Sequence, residues 1–185
     1  MTDVIVSPPV VTEMTSADIP AVNVFISRVP RGEYLFLKED LGNPDVIDSW
    51  RTRHGSRVLI ATAGDEVAGL LAVIPGLGWS AHVGELRLVV APEWRGKGIG
   101  AALARRGLQS AVDSGLMKLT TEVLSDQSGV ISLFNELGFV GEALLTDQAR
   151  DETGQLHDIL VLAHPVIEAW SSATMLGVGD EGSTR

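Results

Sequence analysis

The sequence predicts a single α+β (mixed α/β) domain built on one central sheet. Three observations carry this. The chain has 185 residues, a length that suits one domain. Strand-like apolar runs are interleaved with helical periods along its length. Hairpin patterns lie on both sides of one strand–helix–strand unit, which fits poorly with a doubly wound parallel sheet. A domain of this size buries roughly 70% of its unfolded surface, so neither metal nor disulfide is required to hold it.

The elements follow in order. "VVTEMTSADIPAVNVFISRV" reads as a short strand, a cap at Ser16 and a helix with Ile19, Val22, Phe25 and Ile26 on one side. "NPDVIDSWRTRHG" supplies Asn43 as N-cap, Pro44 at the first helical position and Gly55 as the stop. "RVLIATAGDEVAGLLAVIP" is a hairpin turning at Gly64-Asp65, and "AHVGELRLVV" is a further strand. "GKGIGAALARRGLQSAVDSG" is a helix, with Ile99, Leu103, Leu108 and Val112 at near-helical spacing and Gly115 closing it. "MKLTTEVL" is a strand, and "DQSGVISLFNELG" a helix ended by Gly138. "EALLTDQARDETGQLHDILVLA" is a last hairpin turning at Glu152-Thr153-Gly154, and "VIEAW" after Pro165 forms a final turn. The reading totals about seven strands and about four helices. Residues 1–168 form the domain, and residues 169–185 are expected to be a flexible tail.

Composition narrows the function. The absence of cysteine removes disulfides, thiolate nucleophiles and cysteine-based zinc sites, and suits a reducing cytoplasm. The N-terminus lacks the basic and apolar regions of a signal peptide. The longest apolar-rich run, residues 67–79, is too short for a bilayer span of about 20 residues. A formal net charge of −10 argues against a nucleic-acid partner and suits a cationic substrate. His82, His157 and His164 lie in or beside strands and His54 ends a helix; none forms an i, i+4 pair, so structural roles are expected and no metal.

One stretch runs against the acidic average. Arg95, Lys97, Arg105 and Arg106 place four of the 14 cationic side chains within 12 residues, beside Gly96, Gly98 and Gly100. The turn lies between a strand and a helix. There the first helical N–H groups lack partners and carry the positive end of the dipole. Glycines admit an anion to the backbone without Cβ clashes, so the pattern reads as a phosphate cradle. A Walker-type loop needs Ser or Thr after Lys97, where Gly98 stands. A dinucleotide fingerprint needs G-x-G-x-x-G directly after the strand; here it is G-x-G-x-G behind Pro92-Glu93-Trp94-Arg95. Glu122 falls near the distance of that fingerprint's acid, which keeps a dinucleotide-binding domain open as an alternative.

"VVAPEWRGKGIG" resembles the acyl-CoA-binding motif of the GNAT superfamily of N-acetyltransferases, [RQ]-x-x-G-x-[GA] behind a strand, with Arg95, Gly98 and Gly100 at its fixed positions. "LTTEVLSDQSGVISLFNELGF" is similar to the next strand and helix of that family, and the resemblance extends over roughly residues 57–164. It implies acetyl-CoA as co-substrate, bound where the strand before the glycine turn splays from its neighbour. Leu88, Val89 and Val90 would offer main-chain groups to the pantetheine arm. The N–H groups of Gly96, Lys97, Gly98, Ile99, Gly100 and Ala101 would meet the pyrophosphate. A homodimer is also within the family's habits.

The reaction the resemblance implies is direct attack of an amine on the thioester. A primary amine of pKa about 10.4 is almost wholly protonated at pH 7, and freeing it costs about 4 to 5 kcal/mol, so a base is useful. Glu122 aligns with the glutamate base of several relatives. Glu85 on the neighbouring strand is the second candidate, with its side chain expected on the face opposite that of Leu88. His157 and Asp158 in the last hairpin are candidates for the acceptor pocket. Two positions depart from the family. Phe134 stands where many relatives carry the tyrosine that protonates the departing thiolate, and Gln127 replaces a common asparagine. The only tyrosine, Tyr34, is read as packing. Phe134 motivates a second reading: a non-catalytic acyl-CoA-binding module, a sensor or interaction domain on the same fold.

Overall fold

The computed structural model describes residues 9–34 and 37–166. Its elements are β1 (Val10–Glu13), α1 (Ile19–Arg28), α2 (Arg31–Tyr34), α3 (Pro44–Thr52), β2 (Arg57–Ala63), β3 (Glu66–Pro75), β4 (Val83–Val90), α4 (Ile99–Asp113), β5 (Lys118–Leu124), α5 (Ser128–Glu136), β6 (Val140–Arg150) and β7 (Leu156–Pro165). The expected seven strands form one mixed sheet in the order β1-β2-β3-β4-β5-β7-β6. Every neighbouring pair is antiparallel except β4 and β5. Of the predicted final turn only Val166 is described, its N–H donating to the Met117 carbonyl at 2.9 Å; the rest of it and the tail from 169 lie outside the described residues, as does the side chain of Tyr34.

Strand alternation sorts the core into two layers. Val58, Ile60, Leu70, Ala72, Ile74 and Val89 pack against Phe25 and Ile26 of α1 and Ile47 and Trp50 of α3. Leu59, Ala61, Leu71, Val73 and Leu86 pack against Ile99, Leu103 and Ala104 of α4 and Phe134 of α5. β3 is buried along almost its whole length because helices cover both its faces, which explains its near-continuous apolar run.

Three local readings need correction. The cap of α1 is Asp18, not Ser16, and Thr15 caps the single turn ahead of it: the Asp18 carboxylate accepts from the Thr15 N–H at 2.7 Å and its hydroxyl at 2.8 Å. In α4 the fully buried stripe runs Ile99, Leu103, Ala104, Gly107, Ser110 and Ala111, while Leu108 and Val112 only rim it. The apolar period alone missed this because small residues face the sheet. The short α2 carries no periodic signal and was not anticipated. Asn43 does cap α3, its Oδ1 accepting from the Asp45 N–H at 3.1 Å.

The close approach of α4 positions the site. A Cβ on Gly69 of β3 would lie 2.8 Å from Leu103 Cδ1 and 2.9 Å from Ile99 Cγ2. The missing side chain therefore sets the first turns of α4 flush on the sheet. We expect Gly69→Val to cost about 1 to 3 kcal/mol through overpacking, read as a lower urea midpoint with an unchanged slope. A variant as stable as the parent would show that α4 is not held by this contact.

Candidate active site

The parallel β4–β5 ladder is short. Its register is Val83↔Lys118, Gly84↔Leu119 and Glu85↔Thr120, and it ends there, although β4 runs on to Val90 and β5 to Leu124. The strands diverge into a wedge. A cleft of about 950 Å³ opens in it, lined by Leu88, Val89, Val90, Thr121, Glu122, Val123 and Leu124, and extends past Gly96, Gly98, Gly100 and Ala101 to Gln127 and Phe134. Main-chain groups of β4 beyond Glu85 thus face a gap instead of a strand. Buried backbone polar groups need partners, so such an edge fits an extended polar ligand arm.

At the wide end lies the glycine turn. Gly96 and Gly98 adopt φ of 68° and 82°, a region that favours glycine, and a Cβ on either would meet nothing within 4 Å. Gly98 is the N-cap of α4, and Ala102 N–H makes the first helical bond, to Gly98 O at 3.0 Å. Among the described residues, no backbone carbonyl takes the N–H groups of residues 96–101. An open, glycine-walled row of amides at a helix N-terminus suits a pyrophosphate.

The cations are placed differently from the simple cradle. Arg95 donates from Nε and Nη2 to the Val90 carbonyl, each at 3.2 Å, and forms an ion pair with Glu33 of α2. It ties α2 to the end of β4 while lining the cleft. Lys97 Nζ sits 4.6 Å from the centroid of the Trp94 ring. Arg105 and Arg106 are exposed on α4 and do not line the cleft. The Ile99 side chain is core, which leaves its N–H as the only group it can offer.

The two candidate carboxylates converge. Glu85 points to the face carrying α1 and α3, opposite that of Leu88, as alternation along β4 required, and Glu122 of β5 meets it on the same face. A single ammonium lies between them: Lys38 Nζ is 2.7 Å from Glu122 Oε1 and 3.3 Å from Glu85 Oε2. Glu85 also accepts from Arg87 Nε at 2.9 Å, and Arg87 Nη1 donates to Glu39 at 2.9 Å. Glu39 in turn accepts from the Trp50 indole N–H, and the Arg87 guanidinium lies 5.2 Å from the Trp50 ring centroid. Burial pushes the Glu85 carboxyl upward, but the hydrogen bond and charge of Arg87, aided by Lys38, outweigh it and hold the group below the ordinary range. Glu122 lines the cleft; Glu85 stands behind it.

Sequence reasoning missed Lys38, Glu39, Arg87 and Trp50. Lys38 has φ of 69°, and no local signal marks a lysine for that conformation. Phe134 is 1% exposed and stacks edge-on with Phe139 at 5.0 Å, so it is a core residue whose edge reaches the cleft. Gln127 caps α5 by position, without a side-chain hydrogen bond. His157 pairs with Asp151 at 3.1 Å, and Asp158 accepts from the Asp147 N–H at 2.9 Å. Both are used within the last hairpin and neither lines the cleft.

The lowered Glu85 carboxyl makes a signed prediction. Its folded pKa lies below the unfolded value of about 4.3, so its contribution is complete above that value and is lost as pH falls through the folded pKa. Wild type should therefore lose thermal stability more steeply than Glu85→Gln between about pH 5 and pH 3. Parallel Tm profiles would refute the ion-pair account.

Comparison with known proteins agrees with this geometry. The acetyltransferase (GNAT) family model matches residues 24–139. N-acetyltransferase 8F1 of Rattus norvegicus is 33% identical over 129 residues, covering 66% of this chain and 57% of the relative. N-acetyltransferase 8B of Mus musculus is 30% identical over 118 residues, covering 62% and 50%. The chain thus spans about half the length of the curated relatives it matches. Among solved structures, the yncA protein of Salmonella typhimurium, solved with its cofactor acetyl-CoA, superposes with a TM-score of 0.75 at 17% identity, covering 88% of this chain and 96% of that one. The ribosomal-protein-alanine N-acetyltransferase of Brucella melitensis gives 0.73 at 22% identity, covering 84% and 99%. The splayed strands, the glycine-lined helix start and the family match together establish that this chain belongs to the GNAT family of acetyltransferases.

Proposed function

We propose that the chain transfers an acetyl group from acetyl-CoA to a primary amine by direct attack in a ternary complex, with Glu122 as the base. The observation that carries this is the pair of features that meet in one cleft. An unpaired strand edge leads from the open amides of residues 96–101 to a glutamate that already holds an ammonium at 2.7 Å. The main chain of residues 88–90 aligns the acyl arm. The amides of α4 hold the pyrophosphate. Acetyl-CoA supplies the activated thioester.

Glu122 lies on the wall where an amine would approach, and takes its proton directly or through water. Glu85, held ionised by Arg87, orients the ammonium without itself reaching the cleft. The local count favours a cationic acceptor: Glu39, Glu85 and Glu122 face Arg87 and Lys38, three carboxylates against two cations. Phe134 has no proton to give, so water or the ammonium of the intermediate protonates the leaving thiolate. A thiol of pKa about 8.5 makes that step tolerable. The lack of cysteine suits a reducing compartment such as the cytoplasm. Phe134, buried at the usual acid position, favours the second reading, a non-catalytic acyl-CoA-binding module.

Thiol release from acetyl-CoA, measured against pooled amino acids, polyamines, aminoglycosides and short peptides, decides between the readings. Release above background with any pool excludes the module. With a responsive amine, Glu122→Gln should lower kcat about 100-fold or more while acetyl-CoA binds as before. Unchanged turnover would remove Glu122 from the mechanism. Gly98→Val combines a β-branched side chain with φ of 82° at the start of α4. It should weaken acetyl-CoA binding at least about tenfold by calorimetry, and an unaltered Kd would place the pyrophosphate elsewhere.

A further inference from the structure

The cation between the two carboxylates belongs to the chain itself. Lys38 follows Leu37, which lines the cleft, and its Nζ bonds to the same Glu122 that faces the cleft. Its backbone φ of 69° is one that residues bearing a β-carbon rarely adopt. The surrounding contacts therefore define this placement, since the local chain does not favour it. The chain has two other lysines, Lys97 and Lys118. Lys97 lies over the Trp94 ring and Lys118 pairs with Glu142, and neither meets Glu85 or Glu122.

We propose that Lys38 is an acceptor within its own protein, acetylated in cis at this site. The inference rests on the assignment of Glu122 as base and of the wedge as the acyl-arm site. Glu122 takes one proton from the Lys38 ammonium and passes it to solvent. The freed nitrogen lone pair attacks the carbonyl carbon of the acetyl thioester. A C–N bond forms and the C–S bond breaks. The departing CoA thiolate gains the second proton lost by nitrogen, through water, and the product is neutral acetyl-lysine with one N–H. The modified side chain no longer offers a charge to Glu122, so an external ammonium meets that carboxylate without its partner, while Glu85 keeps its pairing with Arg87.

The test incubates the purified full chain with acetyl-CoA and maps acetylation by peptide mass spectrometry over time, with Lys97 and Lys118 as internal controls for uncatalysed acylation. Lys38 should be modified about tenfold faster or more than either control, reflecting its held position. The rate constant should not change with protein concentration. Glu122→Gln should abolish the preference while still binding acetyl-CoA, and Lys38→Arg should carry no acetyl group at that position. Equal labelling of the three lysines, or a rate constant that rises with protein concentration, overturns the proposal. Turnover of an external amine by a preparation whose Lys38 stays unmodified overturns it alone and leaves the proposed function standing. Neither turnover nor Lys38 acetylation counts against both.

Discussion

Everything at the candidate site depends on where β4 and β5 stop pairing. The two strands share three register pairs and then part. At the apex, a Cβ on Gly84 would fall 2.7 Å from Leu116 Cδ1 and 2.8 Å from Leu119 Cδ2, so glycine lets apolar side chains close over the joined ends. Beyond that point the strands carry free main-chain edges into a cleft. Unpaired backbone groups are costly when buried, and a gap of this kind in the middle of a seven-stranded sheet fits an extended polar ligand. Arg95 meets one of them, the Val90 carbonyl, and in doing so anchors α2 through Glu33.

The helix that follows completes the arrangement. Gly69 and Gly107 let α4 lie close on β3, and the left-handed Gly98 turns the chain so that the helix begins at the mouth of the wedge. The positive end of the helix then faces the cleft. A net charge of −10 dominates at long range, whereas oriented amides dominate at contact distance. An acidic protein can therefore carry an anion-attracting helix start at one place and a cluster of carboxylates at another.

The carboxylate side of the cleft is built from charge compensation. Arg87, with its side chain only 9% exposed, is satisfied by Glu39 and Glu85 and stacked on Trp50. This arrangement keeps Glu85 ionised despite burial, which suits it to hold a cation more than to exchange a proton. Glu122, at the cleft wall, is left to Lys38 alone. Phe134 belongs to the opposite layer, where its contact with Phe139 makes it part of the core. Phe134 offers no hydroxyl to the cleft it borders, so its place in the structure is one of packing.

The amino-acid pattern alone determined the order of the seven strands and four of the helices and the glycine turn, because each is a local property, whereas the two glutamates were singled out by the family resemblance. Apolar periodicity marks the elements, Asn43 and Gly115 punctuate helices, and three closely spaced glycines before a helix imply an anion site. Spacing along β4 also placed Glu85 and Leu88 on opposite faces. Only the tertiary structure decided what these residues meet. Lys38 reaches Glu122 across 84 positions and Arg95 reaches Glu33 across 62, separations over which no sequence period survives. The buried stripe of α4 was obscured because glycine, alanine and serine carry little hydropathy yet permit the closest contact with the sheet. Contacts of that kind are set by the packing of distant elements, and packing is a property of the folded whole.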